Sequence, residues 1–251
     1  MSIDSVINTF QSISLDKMDS VKLMNRTDLK YWFHRDLLAD LLLDVAQKYY
    51  IMEIDGERNL PYSTIYYDTG HDDMYENHHR GKMNRYKIRR RNYLSTNSSF
   101  LEVKFKSNKG RTVKVRNNSD YRIGFNAEDQ VFIAQNSPYS SVDLVEVLEN
   151  GFCRLMLVSK SMDERCTIDS GLRFISSAGE VNFNDLVVVE VKRDGRAPSA
   201  IIETLNRMRI KPSGFSKYCI GRSLIEKALP LNNFKQMHRQ ISKKINNTIN
   251  K

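Results

Sequence analysis

The sequence predicts an α+β protein built on an antiparallel β-barrel with an ionic lumen and helices packed outside. Three observations lead there. Strand-like runs are mixed with helical stretches without regular βαβ alternation. Several runs carry charged side chains on one face and apolar ones on the other, as parity along an extended strand assigns them. The charged faces are mostly basic, in a chain of 251 residues with a net charge of +9.

Residues 3–18 can form a short amphipathic helix. "NRTDLKYWF" then alternates as a strand, with Arg26, Asp28 and Lys30 on one face and Thr27, Leu29 and Tyr31 on the other. "HRDLLADLLLDVAQKYY" sets Leu37, Leu38, Leu41, Leu42 and Val45 at helical spacing. "LPYSTIYYDT" is rich in β-formers and turns at Gly70. The stretch "RYKIRRRNYLSTNSSFLEVKFKSNKGRTVKVR" reads as three strands joined by turn-type linkers. Arg85, Lys87, Arg89 and Arg91 share a face of the first, and Glu102, Lys104 and Lys106 share a face of the second. Lys114 and Arg116 oppose Val113 and Val115 in the third.

Residues 126–150 read as helical or mixed, with a helix entry at Ser137-Pro138 in "NSPYSSVDLVEVLE". "RLMLVSK", "ERCTIDSGLRF" and "DLVVVEVKRD" are three further strands. "PSAIIETLNRMRI" is a helix with Pro198 near its first turn, and "GFSKYCIGRSLIEKAL" a helix or a strand-to-helix turn. The basic segment after Pro230 has sparse apolar positions and reads as a frayed helix or a disordered tail. The expected division is one domain over 1–229 and a basic tail over 230–251.

A basic excess of this size predicts a polyanionic partner. Cys153, Cys166 and Cys219 are widely spaced and form no CxxC, which argues against a disulfide framework and a structural zinc. His78-His79 lacks partners at metal spacing and reads as a polar loop or strand end. The most apolar stretch, "LLADLLLDVA", holds Asp40 and Asp44 and is too short to span a bilayer. No signal-peptide pattern opens the chain, so the expectation is a cytoplasmic protein without a membrane segment.

The ionic faces recur: Arg165, Thr167 and Asp169 fall together, as do Glu190 and Lys192 opposite Val187, Val189 and Val191. Like charges opposed across strands repel, by about 4 kcal/mol at ~4 Å and an effective dielectric near 20. A wall of cations therefore needs anions. Asp28, Glu102, Asp169 and Glu190 offset part of the repulsion, and a bound polyphosphate would offset the rest. Glu190 and Glu102, set among cations, are suited to a hard divalent ion that bridges phosphate oxygens. Nucleic acid is not expected as the partner, because no RNP, KH or zinc-finger signature is present.

At "RTDLKYWF", "YYDT", "RYKIRRRNY", "FLEVKFK", "RTVKVR", "RCTID", "VVVEVK" and "GFSKYCIG" the sequence resembles the triphosphate tunnel metalloenzyme (CYTH-like) superfamily, and within it the VTC-type polyphosphate polymerase domain. The resemblance implies an antiparallel triphosphate tunnel that uses Mn²⁺ or Mg²⁺. Its polymerase branch transfers the γ-phosphate of ATP to a growing polyphosphate chain, and other branches hydrolyse triphosphate. A module that binds polyphosphate without turnover is a further alternative. Carried over by position, Lys30, Arg89, Arg91, Lys104 and Arg165 would be catalytic. Arg26, Lys87, Lys106, Lys114, Arg116, Lys160, Lys192, Ser216 and Lys217 would contact phosphates of ATP, triphosphate or polyphosphate. Glu190 would be the principal metal ligand, with Glu102 beside it. Asp28 stands where the family generally has Glu, and Lys160 where Arg is usual. Gly214 stands where polymerase members carry a basic residue. Eukaryotic-type polymerases work with membrane subunits, so a membrane partner protein is also implied.

Overall fold

The computed structural model describes residues 1–19, 26–120, 124–195 and 198–245. The single helix expected over residues 3–18 is broken. Helices α1 (Ile3–Ile7) and α2 (Leu15–Asp19) flank a short strand, β1 (Gln11–Ile13). In one straight helix Phe10 and Ile13 would share a face. Here they serve two different apolar clusters, which an extended chain between them allows.

Strand β2 (Arg26–His34) alternates as expected, with Tyr31 and Phe33 in one cluster and Trp32 in another. Helix α3 (Leu38–Val45) buries Leu38, Leu41, Leu42 and Val45, and β3 (Tyr49–Met52) follows. Strand β4 (Leu60–Thr69) leads into α4 (Asp73–His79), and the buried Asp68 carboxylate accepts the Met74 and Tyr75 amides at 2.9 Å each. The basic stretch folds as expected into β5 (Arg85–Tyr93), β6 (Ser98–Lys106) and β7 (Thr112–Asn118). Their outer face buries Ile88, Leu101 and Val103 against Ile133 of α5 (Ala127–Asn136). A buried Arg90–Asp129 pair at 2.8 Å fixes that helix.

The helix entry expected at Ser137 is instead an exit. Ser137 caps the end of α5, its amide donating to the Ile133 carbonyl at 2.9 Å. "LVEVLENGF" belongs to the long strand β8 (Leu144–Ser159), which also takes in the expected "RLMLVS" run. Leu148, Asn150 and Phe152 bury at alternate positions, a period of two that no helix has. Strands β9 (Glu164–Ser176), β10 (Gly179–Phe183) and β11 (Leu186–Asp194) follow, then α6 (Ala200–Arg207) and α7 (Lys217–Ile225). The segment read as frayed or disordered forms α8 (Lys235–Lys244). Phe234, Met237, Ile241 and Ile245 recur three or four residues apart and pack onto one cluster.

The strands form one sheet in the order β2-β11-β9-β8-β4-β5-β6-β7, every neighbour antiparallel. Strand β10 joins β9, β3 joins β8, and β1 joins β3 in the only parallel pairing among the described residues. β2 and β7 end the path unpaired with each other, so the barrel is bowed rather than closed by hydrogen bonds. The segment before α7 links the two sides of the bowed sheet: the Ser213 amide donates to the Lys30 carbonyl of β2 at 2.7 Å, and the Ser216 hydroxyl accepts from Lys87 of β5 at 2.9 Å. One outer cluster joins residues of α1, α3 and α6 to the sheet, and α7 and α8 contribute to the cluster that fills part of the concave side. Among the described residues no helix is long and apolar enough to cross a membrane.

Candidate active site

Antiparallel register turns the alternating sequence into rows. Across β5, β6 and β7, Arg89, Glu102 and Arg116 stand opposite one another, and Lys87, Lys104 and Lys114 form the next row. Arg85, Lys106 and Thr112 form the rim. Across β2, β11 and β9 the rows are Asp28-Lys192-Arg165, Lys30-Glu190-Thr167 and Trp32-Val188-Asp169. Asp169 continues to Arg154 on β8. The first set of rows makes one wall, the second set the other.

Glu102 is the hub of the first wall, 1% exposed. Arg89 donates from Nε and Nη2 to its Oε2 at 2.7 and 2.6 Å, and Lys114 donates to Oε1 at 2.8 Å. Burial pushes this carboxyl up, but the charges of Arg89, Arg91 and Lys114 outweigh burial and hold it well below the usual carboxylate range. Arg91 is buried, its Nε 3.4 Å from the Thr64 hydroxyl, and Arg116 lies over the Phe100 ring at 4.6 Å. The lysine row contains no acid. Lys87 is pushed down to about 8 by burial and by the charges of Arg89, Arg85 and Lys30. The Lys104 side chain is exposed to the lumen, yet enclosure of its ammonium, then Arg89 and Lys87, also bring it to about 8.

On the second wall Glu190 sits between Lys30 at 2.8 Å and Lys192 at 3.4 Å. Burial opposes its ionisation, but Lys192, Lys30 and Arg154 hold it well below the usual range. Asp169 receives a fork from Arg154, Nε to Oδ1 at 2.6 Å and Nη2 to Oδ2 at 2.8 Å, and also pairs with Lys217. Burial lowers Lys217 to about 8 despite that partner. Gly171, at φ +60, lies where the β8–β9 register slips. The slip changes parity, so Asp169 and Phe174 both meet α7.

Helix α7 is held from behind. The Tyr218 hydroxyl donates to Asp68, and Arg222 pairs with Asp72 at 2.5 Å and with Glu226. Ser216 caps the helix by accepting the Cys219 amide at 3.3 Å, and its hydroxyl also accepts from Lys87 at 2.9 Å. Three residues earlier, the Ser213 amide donates to the Lys30 carbonyl at 2.7 Å, so this stretch touches both walls.

Most residues singled out from sequence therefore gather on two facing walls. Arg26 pairs through its backbone with Asp194, and its side chain lies outside the described residues. Lys160 stands in the turn after β8 with its ammonium over the Tyr50 ring, and it pairs with none of the wall carboxylates among the described residues. Arg154 was missed, because one Arg within "FCRLML" shows no repeat. Its parity with Phe152, two residues away, is the signal that places it on the inner face.

Among the described residues no three His, Cys, Asp or Glu side chains gather as a metal cage. Mg²⁺ commonly needs only one or two carboxylates together with substrate phosphates. Glu190 fits that requirement, being ionised and 22% exposed. Both glutamates already have cations at each oxygen, and Glu102 differs in being enclosed.

The profile of the VTC domain matches residues 25–226. No curated protein matches the chain. Among solved structures, an adenylyl cyclase candidate from Hippeastrum, described as having a dominant triphosphatase activity, is 16% identical with a TM-score of 0.50 over 83% of this chain and 99% of that one. An adenylate cyclase candidate from Vibrio parahaemolyticus is 13% identical with a TM-score of 0.45, covering 80% of this chain and 99% of its own. One from Bacillus halodurans is 9% identical with a TM-score of 0.47, covering 77% and 96%.

Proposed function

The chain belongs to the VTC domain family, and from that premise we propose that it is a metal-dependent phosphoryl transferase acting on a triphosphate, extending polyphosphate from ATP. The observation that carries this reading is the Lys87-Lys104-Lys114 row, three lysines opposed across strands of which Lys114 alone reaches a carboxylate among the described residues, that of Glu102 in the next row. Such a row is repulsive on its own and favourable around a chain of phosphates.

Phosphoryl transfer asks the protein for position and charge neutralisation more than for covalent chemistry. Arg89 and Arg91 offer planar, bidentate contacts, whereas Lys30, Lys87, Lys104, Lys114, Lys192 and Lys217 follow the phosphate oxygens as mobile point charges. Arg165 and Arg116 continue their rows, Lys106 extends the wall to the rim, and Ser216 presents its hydroxyl beside Lys87. Glu190 would hold a divalent cation, Mn²⁺ or Mg²⁺, which supplies further neutralisation of phosphate oxygens. Glu102 orients Arg89 and Lys114. The terminal oxygen of the acceptor polyphosphate attacks the γ-phosphorus of ATP, the bond to the β-phosphate oxygen breaks, and ADP leaves. No side chain has to act as nucleophile.

The test is purified protein with Mn²⁺ or Mg²⁺ and ATP, with polymer and free phosphate measured side by side. Polymer that disappears with Glu190→Ala is the expected result. Free phosphate alone would mean that water is the acceptor and the protein a triphosphatase. Tight triphosphate binding without turnover would leave only a polyphosphate-binding module.

A further inference from the structure

The two histidines that end α4 have different surroundings. His79 is satisfied: its ring stacks on Tyr75, and its Nε2 accepts the Asn233 amide at 3.3 Å. His78 is not. Its Nδ1 is buried and has no hydrogen-bond partner among the described residues. The charged groups that face it are Lys87 and Arg85 from β5 and Lys106 and Lys104 from β6, while the C-terminal segment presents the Phe234 ring at 6.5 Å. A helix C-terminus ordinarily favours a protonated imidazole. Here burial, and after it those four cations, push His78 down to about 2. A neutral ring with an unused nitrogen thus stands beside four positive charges.

We propose that His78, with Arg85 and Lys106 of the rim row, forms a station for a phosphate of a polyphosphate chain longer than triphosphate. The inference rests on the proposed function and extends it. From Arg91 to Arg85 the wall runs six residues, about 20 Å of strand, more than the two P–O–P links of a triphosphate span. A triphosphate held at Arg89 and Arg91 therefore leaves the rim uncovered, and a longer chain reaches it. The phosphate there accepts a hydrogen bond from Nδ1–H and cancels the field of the surrounding cations. Nδ1, which a packed core histidine would have satisfied within the protein, then gains its partner.

Calorimetric titration without metal, using inorganic triphosphate and linear polyphosphate of defined length, tests this on the wild type, His78→Ala and His78→Gln. Triphosphate should bind all three proteins alike, which also reports that the variants are folded. The long chain should bind His78→Ala about tenfold more weakly, the size of one hydrogen bond to a charged group. His78→Gln, which keeps an N–H donor, should recover most of that loss. At pH 6, buffers of different ionisation enthalpy should show extra proton uptake with the long chain in the wild type and not in His78→Gln. Equal long-chain affinity in wild type and His78→Ala overturns the station. So does an equal loss for both ligands, which would make His78 merely structural. If the wild type binds neither ligand, the phosphate reading itself falls, and the station with it.

Discussion

Arg154 and Asp169 face each other across β8 and β9 in a two-bond fork, and Lys217 from α7 joins the same carboxylate. The charges of Arg154 and Lys217 hold Asp169 well below the usual carboxylate range although burial opposes them. Asp169→Asn leaves two enclosed cations with a neutral partner, so the expected loss is about 3–5 kcal/mol of unfolding free energy. Denaturant titration checks it. The pH dependence has a definite sign. A carboxyl whose folded value is depressed contributes stability above its unfolded value of about 4, and that stability is lost as the pH falls. Wild-type stability should therefore decline below about pH 4, and the Asn variant should decline less.

Lys87, Lys104 and Lys217 are each brought to about 8, burial being the largest cause, and for Lys217 burial outweighs the pair with Asp169. Between about pH 8 and the unfolded lysine value near 10.4 the unfolded chain binds more protons, so these groups make the free protein more stable as pH rises. A bound polyanion needs them charged. The thermal shift produced by inorganic triphosphate should thus be large at pH 7 and markedly smaller at pH 9.5. An equal shift at both values would place the anion elsewhere.

Glu102→Gln removes the counter-charge of Arg89 and Lys114 without changing shape. The free protein should lose about 3 kcal/mol, because enclosed cations are left unpaired. Triphosphate should then stabilise the variant by more degrees than it stabilises the wild type, since the anion supplies what Glu102 supplied. Thermal melts with and without triphosphate give both numbers.

At Gly221 a Cβ would lie 2.5 Å from Phe174 Cδ1 and 2.9 Å from Leu148 Cδ2. Helix α7 therefore needs glycine there to lie close against the sheet. Gly221→Ala should cost about 1–3 kcal/mol. It should also lower triphosphate affinity, because Ser216 and Lys217 move with the helix. Melting and titration of the same variant test the coupling.

The basic strands were legible because their charges alternate over whole runs and turn residues separate them. Parity put Lys30, Glu190, Arg89, Lys104 and Lys114 on ionic faces, and charge repulsion together with the family resemblance turned those faces inward. Strand β8 was harder to read. Its sequence is apolar enough to pass for a helix, and it has irregular register with both neighbours. Helix α8 was hidden by its sparse apolar residues, which suffice only because they bury in an existing cluster. Arg154 was silent for another reason: one charge in an apolar strand has meaning only through its partner, and Asp169 comes from a different strand.

The four residues from Ser213 to Ser216 grip the β2 backbone at one end and the Lys87 ammonium at the other. A segment so short spans no more than about 11 Å between its end Cα atoms. It works as a caliper on a sheet that never closes on itself. The gap can narrow freely, but to widen past the caliper's reach it must release one of those two bonds. Girth is thus gauged by a length of backbone, and any ligand too bulky for the gap would have to break the gauge.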